Sequence, residues 1–184
     1  SIIQKWKIFE RVFFRLFCTG KKMTCEDILD RVLKSFSNYY DIKTESPLFP
    51  FCAEAVFKAE VNQYFLVKPA KISSSVSKEF VFFYKTELLT PELLSELEKI
   101  SWNECLKRTE PFYGHRNSDS VLIIIAQEIP FEVQKKIKKI NHYKSYKATF
   151  FGWSTFKILC YSIEEKKAFY NRRGKELKKI FSQL

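Results

Sequence analysis

The feature that most constrains the fold is a short run from Val121 to Ala126, in which every residue is apolar and most are β-branched. A strand with one face in water alternates apolar and polar residues, so an unbroken apolar run indicates a strand that is covered on both faces. Such a strand lies at the centre of a sheet with a packed layer on each side. The run therefore predicts that residues 121–126 form the central strand of an α/β fold.

Patterns on either side of this run predict the other elements. Thr24 with Asp27 at the N3 position marks the start of a helix over 24–38, and Thr90 with Pro91 marks the start of another. Strands are predicted at 51–57, 64–72, 79–84, 146–151 and 155–163, a loop at 41–50, and helices from Pro130 and Gly174. The predicted fold class is α/β (α+β mixed): a single domain with a central mixed β-sheet of about six strands flanked by helices, in the order α-α-β-β-β-α-β-α-β-β-α.

Residues 1–22 differ from the rest of the chain. Trp6, Phe9 and Phe13 recur at helical spacing, and lysines and arginines lie largely off that stripe, so the segment predicts a basic amphipathic helix. We expect this helix to dock on the single α/β domain of residues 23–184, with a membrane surface or a partner as alternatives. The chain's only methionine directly follows the segment. Residues 1–22 could therefore also be an extension upstream of the natural start.

The cysteines indicate a reduced protein without a metal centre. Five cysteines are widely spaced, and no two form a C-x-x-C pair: Cys18, Cys25, Cys52, Cys105 and Cys160. An odd number of scattered cysteines in apolar surroundings is typical of buried free thiols, so we expect no disulfide, no metal site and no cofactor. Charges within residues 1–17 break any signal-peptide core, and the predicted location is cytoplasmic. No segment approaches the roughly 20 apolar residues of a membrane span.

The charge of the chain is uneven. Its formal net charge is +11, and the basic excess lies at the two ends, whereas the middle is net acidic. The C-terminal third predicts a surface that binds a polyanion, either nucleic acid or an acidic protein, through five residues: Lys144, Lys147, Arg172, Arg173 and Lys175. Tyr143 and Tyr146 alternate with lysines as in single-strand binders, and the turn at 171–175 offers backbone N–H groups and arginines to phosphates. The alternative is a set of lysine-rich faces that contact only solvent.

Motifs of the common enzyme chemistries are missing from the sequence. It contains no G-x-x-x-x-G-K-[ST], no G-x-G-x-x-G and no G-x-S-x-G. Cys105 and His115 could be a nucleophile and its base, but the cysteine falls on an amphipathic helix, where a buried thiol is expected. A non-enzymatic interaction or structural role is therefore the first interpretation, and polyanion binding is the second.

A third interpretation is a nuclease of the restriction-endonuclease-like class, active or degenerate. The predicted core order of helix, three strands, helix and strand resembles that of these enzymes, which hold a divalent metal with an acidic residue on the second strand and Glu-x-Lys on the third. Glu79 and Lys85 of the third predicted strand are separated by about 20 Å at about 3.3 Å per residue, too far for one metal. The second predicted strand, 64–72, contains no carboxylate. The sequence therefore disfavours an active enzyme.

Several short segments after residue 22 match a known family pattern: Tyr64-Phe65-Leu66, Lys68, Ala70, Lys71, Glu79-Phe80, Phe151-Gly152-Trp153, Asn171 and Gly174-Lys175-Glu176. Through them, residues 23–184 resemble a family of small uncharacterised bacterial proteins that is known as a domain of unknown function. The chain departs from the family pattern at residues 60–62, where it has Glu-Val-Asn in place of Arg-Asn-Glu. The resemblance implies a fold and no activity.

Overall fold

The structure, a computed structural model, describes residues 23–57, 76–113 and 115–181. Its central element is the strand His115–Glu128, in which residues 121–126 are all fully buried. A strand that is buried on both faces needs a packed layer on each side, and the helices supply one layer to each face. The predicted central position of residues 121–126 is confirmed.

The elements follow one another in this order: helix α1 (Cys25–Phe36), strands β1 (Tyr40–Lys43), β2 (Ala53–Phe57) and β3 (Val76–Leu88), helix α2 (Pro91–Arg108), strand β4 (His115–Glu128), helix α3 (Phe131–Lys139), strands β5 (Tyr143–Ser145), β6 (Trp153–Ser162) and β7 (Lys167–Tyr170), a 3₁₀ helix (Arg173–Leu177) and the short helix α4 (Lys178–Phe181). Thr24 and Asp27 form a capping box at the start of α1, and the Thr90 hydroxyl accepts a hydrogen bond from a backbone N–H of α2. Both predicted helix starts are confirmed.

The sheet has strand order β1-β2-β3-β4-β6-β5, and β7 also pairs with β6. The first three strands form an antiparallel meander. Strands β3, β4 and β6 are parallel to one another, and α2 and α3 lie in the connections between them. The outer edge of β6 pairs with β5 along its first part and with β7 along its last part. The predicted mixed sheet of an α/β fold is confirmed.

Each face of the sheet carries its own hydrophobic core. On one face, Ile28 and Phe36 of α1 pack against Phe83 and its neighbours. On the other face, Leu94 of α2 and Val133 of α3 are fully buried against the same strands. Because side chains alternate along a strand, any residue of β3, β4 or β6 faces either α1 or the α2–α3 layer. This alternation decides which polar side chains can contact one another.

Short strands at the sheet edges differ from the prediction. The sequence predicts a loop at 41–50, but Tyr40–Lys43 pairs with β2 as β1. It predicts a strand at 146–151, but the strand is Tyr143–Ser145 and the following residues turn, with positive φ at Lys147, Ala148 and Thr149. Strand β7 is an additional strand between the predicted elements. Edge strands of three or four residues bury little surface, so hydrophobic pattern marks them weakly.

Three further predicted segments differ from the described structure or lie outside it. The helix predicted from Gly174 to 181 is a 3₁₀ helix followed by the single turn of α4. The predicted strand at 64–72 and the predicted helix in residues 1–22 lie outside the described residues. None of the helices in the described part of the chain is long and apolar enough to cross a membrane.

Asn171 closes the gap between β5 and β7 along the edge of β6. Its buried side chain donates from Nδ2 to the carbonyl oxygens of Ile140 and Phe156. Its Oδ1 accepts from the backbone N–H groups of Ile158 and Gly174. Buried backbone groups need such partners. Only glycine fits the close approach at position 174, because a Cβ there would lie 2.3 Å from the Ile158 carbonyl oxygen.

We expect Asn171→Ala to lower the free energy of unfolding by roughly 2–4 kcal/mol, because it leaves several buried backbone groups unpaired. Urea unfolding followed by circular dichroism measures the change. The matched control is Asn103→Ala at an exposed position of α2, which should change stability by no more than about 0.5 kcal/mol. Equal effects of the two substitutions would contradict the role given to Asn171.

Candidate functional site

The largest departure from the apolar pattern of the sheet is Lys157 in β6, which is only 8% exposed. Its Nζ lies 3.1 Å from Glu79 Oε1, 2.9 Å from Asp119 Oδ2 and 2.9 Å from Glu176 Oε1. A buried ammonium group is tolerated only when it is paired and hydrogen-bonded. We call these four residues the Lys157 cluster.

The strand register brings the cluster together. Glu79 of β3 is opposite Asp119 of β4, which is opposite Thr155 of β6, and Lys157 follows two residues later on the same face. The Thr155 hydroxyl donates to Asp119 Oδ1 at 2.5 Å, and the Tyr40 hydroxyl donates to Glu79. The cluster thus lies on the α1 face, at the level where the three parallel strands have just begun.

The electrostatics of the cluster keep its lysine charged. Burial would lower the pKa of Lys157, but the carboxylates of Glu79, Asp119 and Glu176 outweigh burial and raise that pKa above its ordinary value. Burial, and next the charge of Glu79, raises the pKa of the Tyr40 hydroxyl. A lysine acts as a nucleophile or base only as the free amine. The lysine of the Lys157 cluster is therefore unsuited to act as a nucleophile or a general base.

A further buried carboxylate, Glu54 of β2, lies on the other face of the sheet. It is opposite Phe82 in the register, and its carboxylate accepts from Arg108 Nη1 at 2.6 Å and from the Leu48 N–H at 2.6 Å. The second described strand after α1 thus has a carboxylate, whereas the strand predicted at 64–72 lies outside the described residues. Glu54 and Glu79 face opposite layers, so they cannot hold one metal ion. Among the described residues, no three or more His, Cys, Asp or Glu side chains are grouped to hold one.

The cysteine and histidine considered as a catalytic pair have separate environments. Cys105 is fully buried, as expected, and burial raises the pKa of its thiol to about 12. The His115 ring binds the Phe151 carbonyl oxygen through Nδ1 and the Ser118 hydroxyl through Nε2, each at 2.9 Å. Both histidine nitrogens are therefore engaged, Nδ1 by the turn before β6 and Nε2 by Ser118 of β4. A protonated buried thiol is a poor nucleophile.

The five residues predicted to bind a polyanion are all exposed: Lys144 in β5, Lys147 in the turn after it, Arg172 just before the 3₁₀ helix, and Arg173 and Lys175 within that helix. The Arg173 guanidinium carbon lies 5.7 Å from the centroid of the Tyr143 ring, and its Nε lies 3.5 Å from Asn141 Oδ1. The fold thus brings Arg173 beside the strand that carries Lys144. The Gly174 N–H is engaged by Asn171 Oδ1 at 2.7 Å, so this backbone donor is not free for a phosphate.

A comparison with models of protein families shows which family the chain belongs to. A family model described as "Domain of unknown function (DUF8052)" matches residues 24–183. The chain belongs to this family. Searches with this chain matched no curated protein and no solved structure. Membership in DUF8052 agrees with the resemblance found in the sequence.

Several residues that carry the DUF8052 resemblance have structural roles in this chain. Glu79 and Glu176 are two of the three carboxylates around Lys157. Asn171 and Gly174 fasten the C-terminal turn to β6. Gly152 has φ +78°, and a Cβ there would lie 2.5 Å from the Arg116 carbonyl oxygen, so only glycine fits this turn. These described residues of the resemblance therefore stabilise the fold.

Sequence reasoning missed a group of exposed rings near the basic residues. Phe112 and Tyr113 lie in the loop before β4, and Phe150 lies in the turn before β6. A signal existed for the first two, since aromatic residues between Pro111 and a glycine indicate a loop, where no core covers them. Phe150 gave no such signal, because its neighbours have the composition of a strand.

We expect Lys157→Met to lower the free energy of unfolding at about pH 7 by roughly 3–5 kcal/mol, because it leaves buried carboxylates without their cation. Urea unfolding measures the loss. The matched control is Lys138→Met at an exposed position of α3, which should be neutral to about 0.5 kcal/mol. A stable Lys157→Met variant would show that the cluster does not depend on the ammonium group.

Proposed function

We propose that this protein is a non-enzymatic binding protein that holds a polyanion on the surface formed by β5, the turn after it and the 3₁₀ helix. We call this the β5 surface and define it by Tyr143, Lys144, Lys147, Arg172, Arg173 and Lys175. The observation that carries the proposal is the contact of Arg173 with Tyr143, because it joins two basic segments that are far apart in the sequence.

The charges of the β5 surface favour an anionic ligand. The chain has no aspartate or glutamate between Glu132 and Glu164, a stretch that contains β5 and its turn. The one carboxylate of the 3₁₀ helix, Glu176, is bound by the buried Lys157. The cations of this surface therefore face no competing carboxylate from their own segments. An unopposed set of lysines and arginines attracts polyanions and releases their counterions on binding.

Catalysis is not needed to account for the ionisable residues. In the Lys157 cluster the ammonium group occupies the space between the carboxylates, and Tyr40 and Thr155 satisfy further oxygens. Glu54 is neutralised by Arg108 on the other face. Neither group has a buried polar atom left without a partner in the described part of the chain. A binding role uses the surface charges and leaves both networks to the fold.

The second candidate function is a degenerate member of the restriction-endonuclease-like class. The described order of α1, β1, β2, β3, α2 and β4 reproduces helix, three strands, helix and strand. The acidic residue of the second strand and that of the third, Glu54 and Glu79, face opposite layers of the sheet. This geometry supports a fold of that type whose metal chemistry is lost, and it is compatible with retained nucleic-acid binding.

We expect the wild-type protein to bind fluorescently labelled heparin and duplex DNA at about 50 mM salt and to release both steeply as salt rises. Replacing Arg172 and Arg173 together by alanine should weaken binding of both ligands. It should also reduce the slope of log K against log salt by about two, one for each lost contact with an anionic group. The matched control replaces the exposed pair Lys138 and Lys139 of α3 by alanine. Absence of wild-type binding, or equal effects of the two pairs, would overturn the proposal.

We expect no hydrolysis when labelled single-stranded or duplex DNA is incubated with the protein and Mg²⁺ or Mn²⁺, because Lys157 stands between Glu79 and Asp119. Gel electrophoresis of the labelled strands measures cleavage. If cleavage occurs and is lost in Glu79→Gln but kept in the exposed control Glu45→Gln, the enzyme is active and the non-enzymatic proposal is wrong.

A further inference from the structure

Exposed aromatic rings continue the β5 surface toward the end of the sheet where β4 and β6 begin. Tyr143 is 49% exposed, Phe150 75% and Tyr113 80%, and Phe112 beside it is also exposed. Single exposed rings are common on proteins, but several exposed rings on neighbouring loops at one end of the sheet indicate a surface that binds a ligand or a partner. We call these four residues the ring strip.

His115 joins the loop before β4 to the turn before β6. Its ring nitrogens bind the Phe151 carbonyl oxygen and the Ser118 hydroxyl. Its backbone N–H donates to the Phe112 carbonyl oxygen at 3.0 Å. Its ring centroid lies 6.1 Å from that of Phe112 and 6.2 Å from that of Tyr146. The two loops are therefore parts of one surface.

The turn that carries Phe150 has one defined conformation. Lys147, Ala148 and Thr149 all have φ between 46° and 76°, a region that residues other than glycine rarely adopt. The turn is closed by hydrogen bonds from the Phe151 N–H to the Tyr146 carbonyl oxygen and from the Gly152 N–H to the Thr149 carbonyl oxygen. A turn closed in this way presents the Phe150 ring to solvent in a fixed place.

Cations alternate with rings along the same edge. Lys144 Nζ lies 5.6 Å from the Tyr146 ring centroid, and Lys147 Nζ lies 4.4 Å from that of Phe151. Arg173 lies over Tyr143, as described above. Base and phosphate alternate in a single strand in the same way, with flat faces for rings to stack on and charges for lysine and arginine to neutralise.

We propose that the ring strip binds single-stranded nucleic acid, with bases stacked on Tyr143, Phe150 and Tyr113 and phosphates held by Lys144, Lys147 and Arg173. This inference rests on the proposed polyanion binding and names its ligand. A duplex keeps its base faces stacked inside, so the rings of the strip can reach them only in an unpaired strand. An anionic membrane would need a contiguous apolar face, whereas the rings here are separated by polar residues such as Ser145 and Asn141.

The test compares ring substitutions with a matched ring elsewhere. Phe150→Ala should weaken binding of labelled oligo-dT and oligo-U of about 20 nucleotides by about fivefold or more, and Tyr143→Ala with Phe150→Ala by about 25-fold or more. The control is Phe131→Ala on α3, because Phe131 is 69% exposed and has Lys135 Nζ 4.2 Å from its ring centroid. The control should bind as wild type does. Urea unfolding of all variants should match wild type, because the replaced rings are exposed.

Two further probes separate the possible ligands. Heparin has no bases, so Phe150→Ala, which leaves every residue of the β5 surface in place, should bind heparin as wild type does and keep the wild-type salt slope. Unchanged oligonucleotide binding by the ring double variant, or wild-type affinity for a duplex equal to that for oligo-dT, would overturn the inference while heparin binding still supports the proposed function. Ring-dependent binding to phosphatidylglycerol vesicles without binding to oligonucleotides would also overturn it. Failure of wild type to bind heparin would overturn the proposed function itself.

Discussion

The buried ammonium group of Lys157 is the interaction on which the arrangement of this sheet most depends. It contacts carboxylates from β3, β4 and the 3₁₀ helix, so one side chain ties three parallel strands and the C-terminal turn together. A hydrophobic contact survives small shifts, but a buried ion must meet its partners within hydrogen-bonding distance. A one-residue slip of β6 would turn Lys157 to the α2 face, where Phe156 and Ile158 now lie. The cluster therefore penalises a shift of β6 to another register.

The sequence predicts the centre of the fold and fails at its edges for one physical reason. Residues 121–126 are buried on both faces and are consequently apolar throughout, and the caps of α1 and α2 satisfy N–H groups through specific side chains. The outer strand β5 has three exposed residues, and only its pairing with β6 makes it a strand. The turn before β6 is the opposite case, since its residues have the composition of a strand although Lys147, Ala148 and Thr149 adopt positive φ. Edge pairing and turn conformation depend on neighbours that are distant in sequence.

The candidate site shows the same limit. A lone lysine between Phe156 and Ile158 in a predicted strand indicates a buried cation that needs an acidic partner, but the sequence offers many carboxylates. Only the pairing of Glu79 with Asp119 and of Asp119 with Thr155 identifies the partners. The basic residues were predicted from the charge excess of the C-terminal third, the alternation of tyrosines with lysines and the turn at 171–175. What composition could not predict is that Arg173 reaches Tyr143, because that contact depends on where Asn171 fastens the C-terminal turn.

The fold also anchors the turns that carry the exposed cations. Asn171 satisfies backbone groups on both sides of the β6 edge, and the backbone at Gly174 lies against Ile158, so the turn that carries Arg173 has little freedom to move. His115 holds the turn that carries Phe150 in the same manner. A flexible basic tail would lose backbone entropy when it binds, whereas the backbone of these anchored turns has lost that entropy during folding. This difference argues that a ligand recognises the spacing of rings and charges on this edge, and that net positive charge alone would not distinguish it from other lysine-rich surfaces.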